Sequence, residues 1–503
     1  MNKELFSEFT DFTKKGFSLL YPALAELIPM KPSQRKELPH ACRELSEYLT
    51  TEREMLSRPY WTNPRLLSAY FHYFLMWNLI RLCKLFPQIN LGTIPPKCTF
   101  ADLGSGPLTI PLALFLSRKD LHKKEITFIC ADIAPQPLQI GRNLFEILRQ
   151  KLAPECLWKI EIVRAPNHKI LRQIHTPVSL ITMGNVLNEG DEKKKISTFE
   201  QIRHIYDMAC QVLDDTGKIF VVEPGTRQGA RMIQILRTLV TEEIQELDKF
   251  EDADEEIGEV ETSENGWAEN AFEDEQEEAP HQIISPCPHA VSCPLTRQFH
   301  KQNAWCHFNT ETAFIPKELK ELSQKAGLDK ESVSLSYLYL AKKELAEKLL
   351  KQEQSKHKAR IISDAFVVPH YKGRARYACH EKGLLLILDS THLPMGTLCD
   401  VRFPAKITRD FKSKAILCMP ADSKYKNLKE IEQIQIITDK KTDTAKQKSL
   451  KTQKTSAKNI KKETRTNKNI KQNTDKTIAK NKTTKRNTSL SKEKTKAKRI
   501  FNK

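Results

Sequence analysis

The sequence predicts an α/β fold: a parallel, doubly wound sheet preceded by helices and followed by a cysteine-rich segment and a small β-rich module. Three observations predict it. From Lys97 to Val240, short apolar, β-branched runs alternate with amphipathic stretches, the signature of βαβ units. The glycine turn Asp102-Leu103-Gly104-Ser105-Gly106-Pro107-Leu108 comes straight off the first of these runs and opens a helix; glycines there let the main chain bend and a ligand approach it. Downstream, Cys287, Cys293 and Cys306 fall within 20 residues, among prolines and histidines.

Residues 1–96 read as a helical region. In Pro64–Phe86, the residues Leu67, Tyr70, Phe71, Phe74, Met76, Trp77 and Ile80 recur near a helical period, as expected of a stripe packed on the next domain. Residues 97–240 form the sheet domain, with strands at Thr99–Leu103, Ile126–Ala131, Ile160–Arg164, Val178–Met183 and Lys218–Val222. Helices at Leu108–Ser117, Leu138–Lys151, Thr198–Leu213 and Arg227–Val240 separate or follow them. Residues 241–279 hold 18 acids and one lysine and read as a solvated insertion. Residues 280–360 form the cysteine-rich segment, with helix-like stretches at Lys317–Lys325 and Ala341–Lys358. Residues 361–437 are the β-rich module, broken by Gly373, Gly383 and Gly396. Residues 438–503 are a low-complexity tail expected to lack order.

The 503 residues carry a formal charge of +18, but unevenly. Lys440–Lys503 holds 23 Lys and Arg against 4 Asp and Glu, and the residues outside both this tail and the acidic stretch sum to +16. A basic body favours a polyanionic partner, because neutralising phosphates releases counterions. No run of about 20 apolar residues exists, so no membrane span is expected. Glu4, Glu8 and Asp11 make Met1–Phe17 unlike a signal or transit peptide, and a bacterial-type cytoplasmic location is expected. The twelve cysteines then read as reduced thiols or metal ligands rather than disulfides.

The loop Asp102–Leu108 resembles the first motif of class I methyltransferases. In that family the loop lies against the methionine part of S-adenosylmethionine, and an acid after the second strand binds the ribose hydroxyls. Asp132 stands in that place; two hydroxyls on one carboxylate make two charge-assisted hydrogen bonds. Asp102, Gly104, Ser105, Gly106 and Asp132 are thus the candidate cofactor residues. Leu108, where a third loop glycine is usual, is expected to tighten the space between helix and ligand. The fourth strand ends in Met183-Gly184-Asn185-Val186-Leu187-Asn188-Glu189, making Asn185, Asn188 and Glu189 the candidate catalytic groups on the substrate side. The Asn-Pro-Pro-Tyr motif of amino-group methylation is absent, as is a nucleophilic cysteine in this region for attack at cytosine carbon.

Cys379, from the β-rich module, is the best fourth partner for Cys287, Cys293 and Cys306. Four thiolates suit tetrahedral zinc or a cubane iron–sulfur cluster, and His289 and His307 either complete a zinc site or act as outer donors. Cys42, Cys83, Cys98, Cys130, Cys156 and Cys210 sit in apolar patterns and read as core; Cys399 and Cys418 are undecided. The C-x3-C-x2-C loop of radical enzymes is missing.

From Tyr60 to Ile407 the chain resembles the ribosomal small-subunit methyltransferase-like proteins (the Rsm-twenty-two family). The resemblance is carried by Asp102-Leu103-Gly104-Ser105-Gly106-Pro107, Val186-Leu187-Asn188-Glu189 and Val222-Glu223-Pro224-Gly225-Thr226-Arg227-Gln228-Gly229. It is carried further by Cys287-Pro288-His289, Cys293-Pro294 and Trp305-Cys306-His307-Phe308. It implies S-adenosylmethionine as cofactor, a [4Fe–4S] cluster on Cys287, Cys293, Cys306 and Cys379, and the small ribosomal subunit with its 16S-type rRNA as partner. Two functions fit: an rRNA methyltransferase, or an assembly factor that uses cofactor and cluster structurally. The tail 440–503 reads as a non-specific RNA contact.

Overall fold

The computed structural model describes residues 2–50, 60–165, 167–170, 173–187, 197–241, 280–291, 293–295, 305–351, 358–368, 374–423 and 425. The chain divides into two units, Met1–Ile431 and Glu432–Lys503; residues 242–279 of the acidic insertion and the whole second unit lie outside the described residues.

The central sheet is built from β1 (Lys97–Leu103), β2 (Glu125–Asp132), β3 (Lys159–Arg164), β4 (Leu180–Gly184), β5 (Lys218–Pro224), β6 (His281–Ser285), β7 (Phe308–Glu311) and β8 (Ser332–Lys342). Its order is β3-β2-β1-β4-β5-β8-β6, with β7 also pairing β8. Strands β1 to β5 are mutually parallel, whereas β8 runs antiparallel to both β5 and β6. A doubly wound sheet with a reversed penultimate strand is the class I methyltransferase fold.

The sheet therefore does not end at residue 240, and residues 280–360 are not only a cysteine segment with helices. Three of the eight strands come from that stretch. The reason lies in Tyr337-Leu338-Tyr339-Leu340-Ala341, every side chain of which is buried. Helices pack on β8 from α4 (Leu75–Leu85) and α9 (Arg227–Val240), so it has no polar face to alternate with.

Before the sheet come α1 (Asp11–Leu27), α2 (Pro32–Thr50) and α3 (Pro64–Ala69), which continues through a π-helical turn, Tyr70–Phe74, into α4. The Thr10 side chain caps α1 by accepting from Thr13 N. Gly16 lets α1 press on α5 (Thr109–Ser117): a Cβ there would stand 2.3 Å from Leu116 Cδ2. Then follow α6 (Pro135–Leu152), α7 (Asn167–Ile170) and α8 (Thr198–Val212), with α10 (Lys317–Ala326) and α11 (Lys343–Lys351) after α9.

The β-rich module is a closed barrel. Its strands are β9 (Lys358–Ile361), β11 (Arg374–His380), β12 (Gly383–Ile387), β13 (Leu398–Arg402) and β14 (Ile416–Pro420), with a short β10 (Phe366–Val367) hung on β11. Strand β9 pairs with β11 on one side and β13 on the other. Numbered within the barrel, the circuit is 1-2-3-5-4-1, antiparallel throughout except for the parallel third and fifth strands, β12 and β14. That connectivity is the OB-fold. Cys399 and Cys418 belong to its core with Ile361, Ala378, Leu385 and Ile416.

Candidate cofactor cleft and cysteine junction

The cleft opens where β1 and β4 part company at their C-terminal ends, the switch point at which open parallel sheets bind ligands. Asp102, Gly104, Ser105, Gly106 and Asp132 all line it, and so does Asn185. The atom-free space among these residues, open solvent included, is about 570 Å³.

Two glycines shape the loop. Gly104 has φ +62°, and a Cβ on it would stand 2.4 Å from Val186 Cγ2; Gly106 has φ +51° and faces the Trp61 ring, 3.6 Å from where its Cβ would be. Asp102 is buried and braces the turn by accepting hydrogen bonds from Ser105 Oγ and, at 2.6 Å, from Thr182 Oγ1. Burial raises its carboxyl to about 7 against those bonds. Asp132 ends β2 in the expected place. Its Oδ2 accepts from Gly106 N at 2.9 Å and its Oδ1 from Ala134 N at 2.8 Å, and burial raises its carboxyl as well.

Leu108 does not narrow the cleft. It takes up the left-handed conformation (φ 60°, ψ 42°) at the N-cap of α5, and its side chain is fully buried away from the lining. The close helix approach comes from Gly141 of α6 instead, where a Cβ would meet the Pro107 carbonyl at 2.5 Å.

The helical region supplies what the sequence reading missed. Tyr60, Trp61, Tyr70 and Arg81 line the cleft, the three rings lying 4.4–5.7 Å apart. Most of the Pro64–Phe86 stripe is core as expected: Leu67, Phe71, Met76, Trp77 and Ile80 are buried. Tyr70 stands on the π-helical turn, an irregularity frequent at functional sites. Arg81 donates to Ser334 O at 3.0 Å, Asn78 Oδ1 at 2.5 Å and Asn185 Oδ1 at 3.2 Å. Its Nε is buried without a hydrogen-bond partner, and no carboxylate forms a salt bridge with it among the described residues. Burial lowers it to about 10, opposed by Tyr70 and Glu223. The signal in the sequence was one arginine inside the apolar run Leu79-Ile80-Arg81-Leu82-Cys83.

On the far lip, Asn185 has φ 60°, while Asn188 and Glu189 lie outside the described residues. Glu223 Oε1 accepts from Val186 N and Leu187 N, both at 2.9 Å, tying the ends of β4 and β5 together. Trp305 Nε1 donates to Gly225 O at 2.9 Å. Sequence motifs up to 80 residues apart at these contacts thus meet at one end of the sheet.

The second site lies behind that edge. Cys287, Cys293, Cys306 and Cys379 come from the segment after β6, the segment before β7, and β11, and they stand near enough to feel one another's charge. Burial raises the thiols of Cys287, Cys306 and Cys379; neighbouring thiols add to the rise and Arg237 opposes it. His289 Nε2 is 3.1 Å from Cys379 Sγ, and Gln234 Nε2 of α9 is 3.9 Å from Cys293 Sγ. His307 is turned away to stack on Trp305, centroids 5.2 Å apart. Among the described residues, no three Cys, His, Asp or Glu groups stand at the spacing that holds a metal ion.

Two buried arginines flank the thiols. Arg237 of α9 donates to Val291 O at 2.5 Å, and Arg360 of β9 to Pro286 O at 2.9 Å. Burial works against the Arg237 charge, but Cys287, Cys293 and Cys379 outweigh it. Its Nε and Nη1 are buried without a hydrogen-bond partner. A buried cation is costly unless an anion faces it, and thiolates at these positions would supply that anion. In donor chemistry and charge the junction fits an anionic thiolate centre.

Cys42, Cys83, Cys130 and Cys156 are buried, and Cys98 and Cys210 partly so. No helix among the described residues is long and apolar enough to cross a membrane.

The chain matches none of the curated proteins. Among solved structures it is similar to the glycopeptide N-methyltransferase MtfA complexed with S-adenosylmethionine, at 14% identity over 28% of this chain and 51% of that one, with a TM-score of 0.21. It is also similar to precorrin-6y C5,15-methyltransferase from Geobacter metallireducens (11%, 50% and 83%, TM-score 0.24). An O-methyltransferase family protein from Burkholderia thailandensis is a third (12%, 43% and 54%, TM-score 0.25). The chain spans about half the length of the first of these; strand order, not these distant likenesses, carries the fold. Residues 265–374, from before β6 to the start of β11, match the family model described as mitochondrial small ribosomal subunit Rsm22, the family that the glycine-loop, Val-Glu-Pro-Gly and cysteine motifs resemble.

Proposed function

We propose that this chain is a methyltransferase-like protein of the small ribosomal subunit that takes S-adenosylmethionine in the cleft and acts on the rRNA. One observation carries the reading: a glycine loop, a strand-end carboxylate and a buried arginine converge on a single cleft at the switch point of the sheet. The cofactor supplies a methyl group on a sulfonium. Gly104 and Gly106 let the main chain approach it. Asp132, with one backbone donor on each oxygen, keeps lone pairs for the ribose hydroxyls. Arg81 offers its buried charge to the carboxylate of the methionine end. Asp102 and Ser105 hold the loop in shape. Asn185, with Asn188 and Glu189 next to it in sequence, lies on the side of the acceptor and orients it.

A second reading is an assembly factor without turnover, in which cofactor and metal centre stiffen the fold. Asn185 favours it, since its Oδ1 already accepts from Arg81. In both readings Cys287, Cys293, Cys306 and Cys379 hold a metal centre, a [4Fe–4S] cluster with zinc as the alternative. Support comes from the donor set and from the two buried arginines beside it. The tail 440–503 adds a non-specific contact to RNA. The matching family is described as mitochondrial, which leaves a bacterial-type cytoplasm as an expectation of the sequence alone.

Comparing rRNA modification in a deletion strain and its parent separates the two readings. A methylated nucleotide missing only from the deletion strain supports catalysis; identical maps with impaired small-subunit maturation support the assembly role. An iron and sulfide assay on anaerobically purified protein decides the metal, with broad absorbance at roughly 400 nm expected for a thiolate-bound cluster.

A further inference from the structure

We infer that the β9–β14 barrel binds single-stranded RNA on the face bordered by its β9–β11 and β13–β14 loops. This deepens the small-subunit reading by naming the contact, and oligonucleotide binding can be scored whether or not methyl transfer occurs. The barrel has OB connectivity, and in that architecture the loops between strands 1 and 2 and between 4 and 5 flank the oligonucleotide. Here those are the β9–β11 and β13–β14 loops.

Six large hydrophobic side chains are exposed among the described residues, and three of them, Val367, Ile407 and Phe411, lie on these two loops at 68%, 53% and 64% exposure. Tyr377 on β11 joins the loops: its ring packs on Phe366 with centroids 4.9 Å apart, and its side chain hydrogen-bonds to Ser413. Charge has the sign RNA requires. Lys406, Arg409, Lys412 and Lys414 are all exposed in the β13–β14 loop. The one acid among them, Asp410, is occupied by Ser413 N and Oγ, both at 2.7 Å. Lys414 Nζ lies 4.8 Å from the centroid of the Phe411 ring, and Arg374 is exposed at the start of β11 beside Val367.

One exposed ring, Phe411, set among the cations of its loop supplies the two halves of a single-strand platform: a base stacks on the ring while the cations follow the phosphates. The other end of β11 is committed elsewhere. Exposure falls along the strand from Arg374 through half-buried Tyr377 to Cys379, which is turned into the thiol junction.

The test uses the full chain, a fluorescein-labelled 12-nucleotide single-stranded oligouridylate, and an RNA hairpin duplex. Fluorescence anisotropy is read at roughly 0.3 M salt, where attraction to the basic tail is largely screened. Phe411→Ala and Ile407→Ala are both at exposed positions, so each serves if the other misfolds. Loss of the Phe411 ring is expected to weaken single-strand binding by about fivefold or more and to leave binding of S-adenosylhomocysteine unchanged. Crosslinks from 4-thiouridine are expected within 403–415, 361–368 and 374–377. Unchanged affinity in both variants, crosslinks confined to 438–503, or equal affinity for the duplex each overturns the proposal. So does displacement of the oligonucleotide by polyglutamate as readily as by polyuridylate, which would assign the surface to an acidic polypeptide.

Discussion

The cleft and the thiol junction share an edge of one sheet but are built in opposite ways. The cleft's polar floor comes from residues close in sequence: Asp102 to Gly106 and Asp132 sit at the ends of two adjacent parallel strands, so forming the sheet forms the floor. The junction takes three thiols from the stretch between β6 and β7 and the fourth, Cys379, from β11 of the barrel. No local element brings Cys379 within reach of Cys293; barrel and sheet must both be complete first. A floor of this kind tolerates changes to single residues, whereas a junction stands or falls as a unit.

The largest effect is therefore expected at the junction. Cys293→Ser should abolish bound iron and lower the thermal midpoint by on the order of 10 °C, because binding of a structural metal is folding free energy. Cys418→Ser, at a fully buried thiol in the barrel core, should cost stability but keep the metal. Equal metal content in both variants would make the junction a plain apolar contact.

Next comes the charge in the cleft. Arg81→Met should weaken S-adenosylhomocysteine by roughly 10- to 100-fold in calorimetry, the worth of a buried charge-assisted bond, and leave methylthioadenosine, which has no carboxylate, unaffected. A parallel loss for both ligands would give Arg81 a merely structural role. Asp132→Asn should weaken both ligands together by about tenfold, since both carry the ribose.

The smallest effect concerns pH. The Asp102 carboxyl, raised to about 7 by burial, binds its proton more tightly in the folded chain than in the unfolded one. Stability is therefore lost as pH rises from the ordinary carboxylate range through 7. Asp102→Asn should flatten that decline, seen as thermal midpoints of the two proteins diverging between pH 5 and 8. Parallel curves would mean that Ser105 and Thr182 fully offset the burial.

How much of this was legible follows from the same contrast. The strand–turn–helix at Asp102, the second carboxylate at Asp132 and the sheet's first five strands could be read because their signals are local. Tyr60, Trp61 and Arg81 could not, since an apolar stripe looks the same whether it faces a core or a ligand. The Tyr337–Ala341 run was not assigned to the sheet because a strand covered on both faces shows no alternation. Nor could the barrel's circuit be read, because it depends on β9 pairing with both β11 and β13, and pairing leaves no local pattern. Leu108 was read as crowding the ligand; its left-handed backbone turns the side chain into the core instead.

One consequence of the strand order concerns synthesis. Strand β5 finishes at residue 224, but its neighbour β8 ends at residue 342. At ordinary rates of translation the intervening chain takes on the order of ten seconds to emerge. Throughout that interval the nascent sheet presents β5 as an open hydrogen-bonding rim, the very feature that invites pairing with other chains.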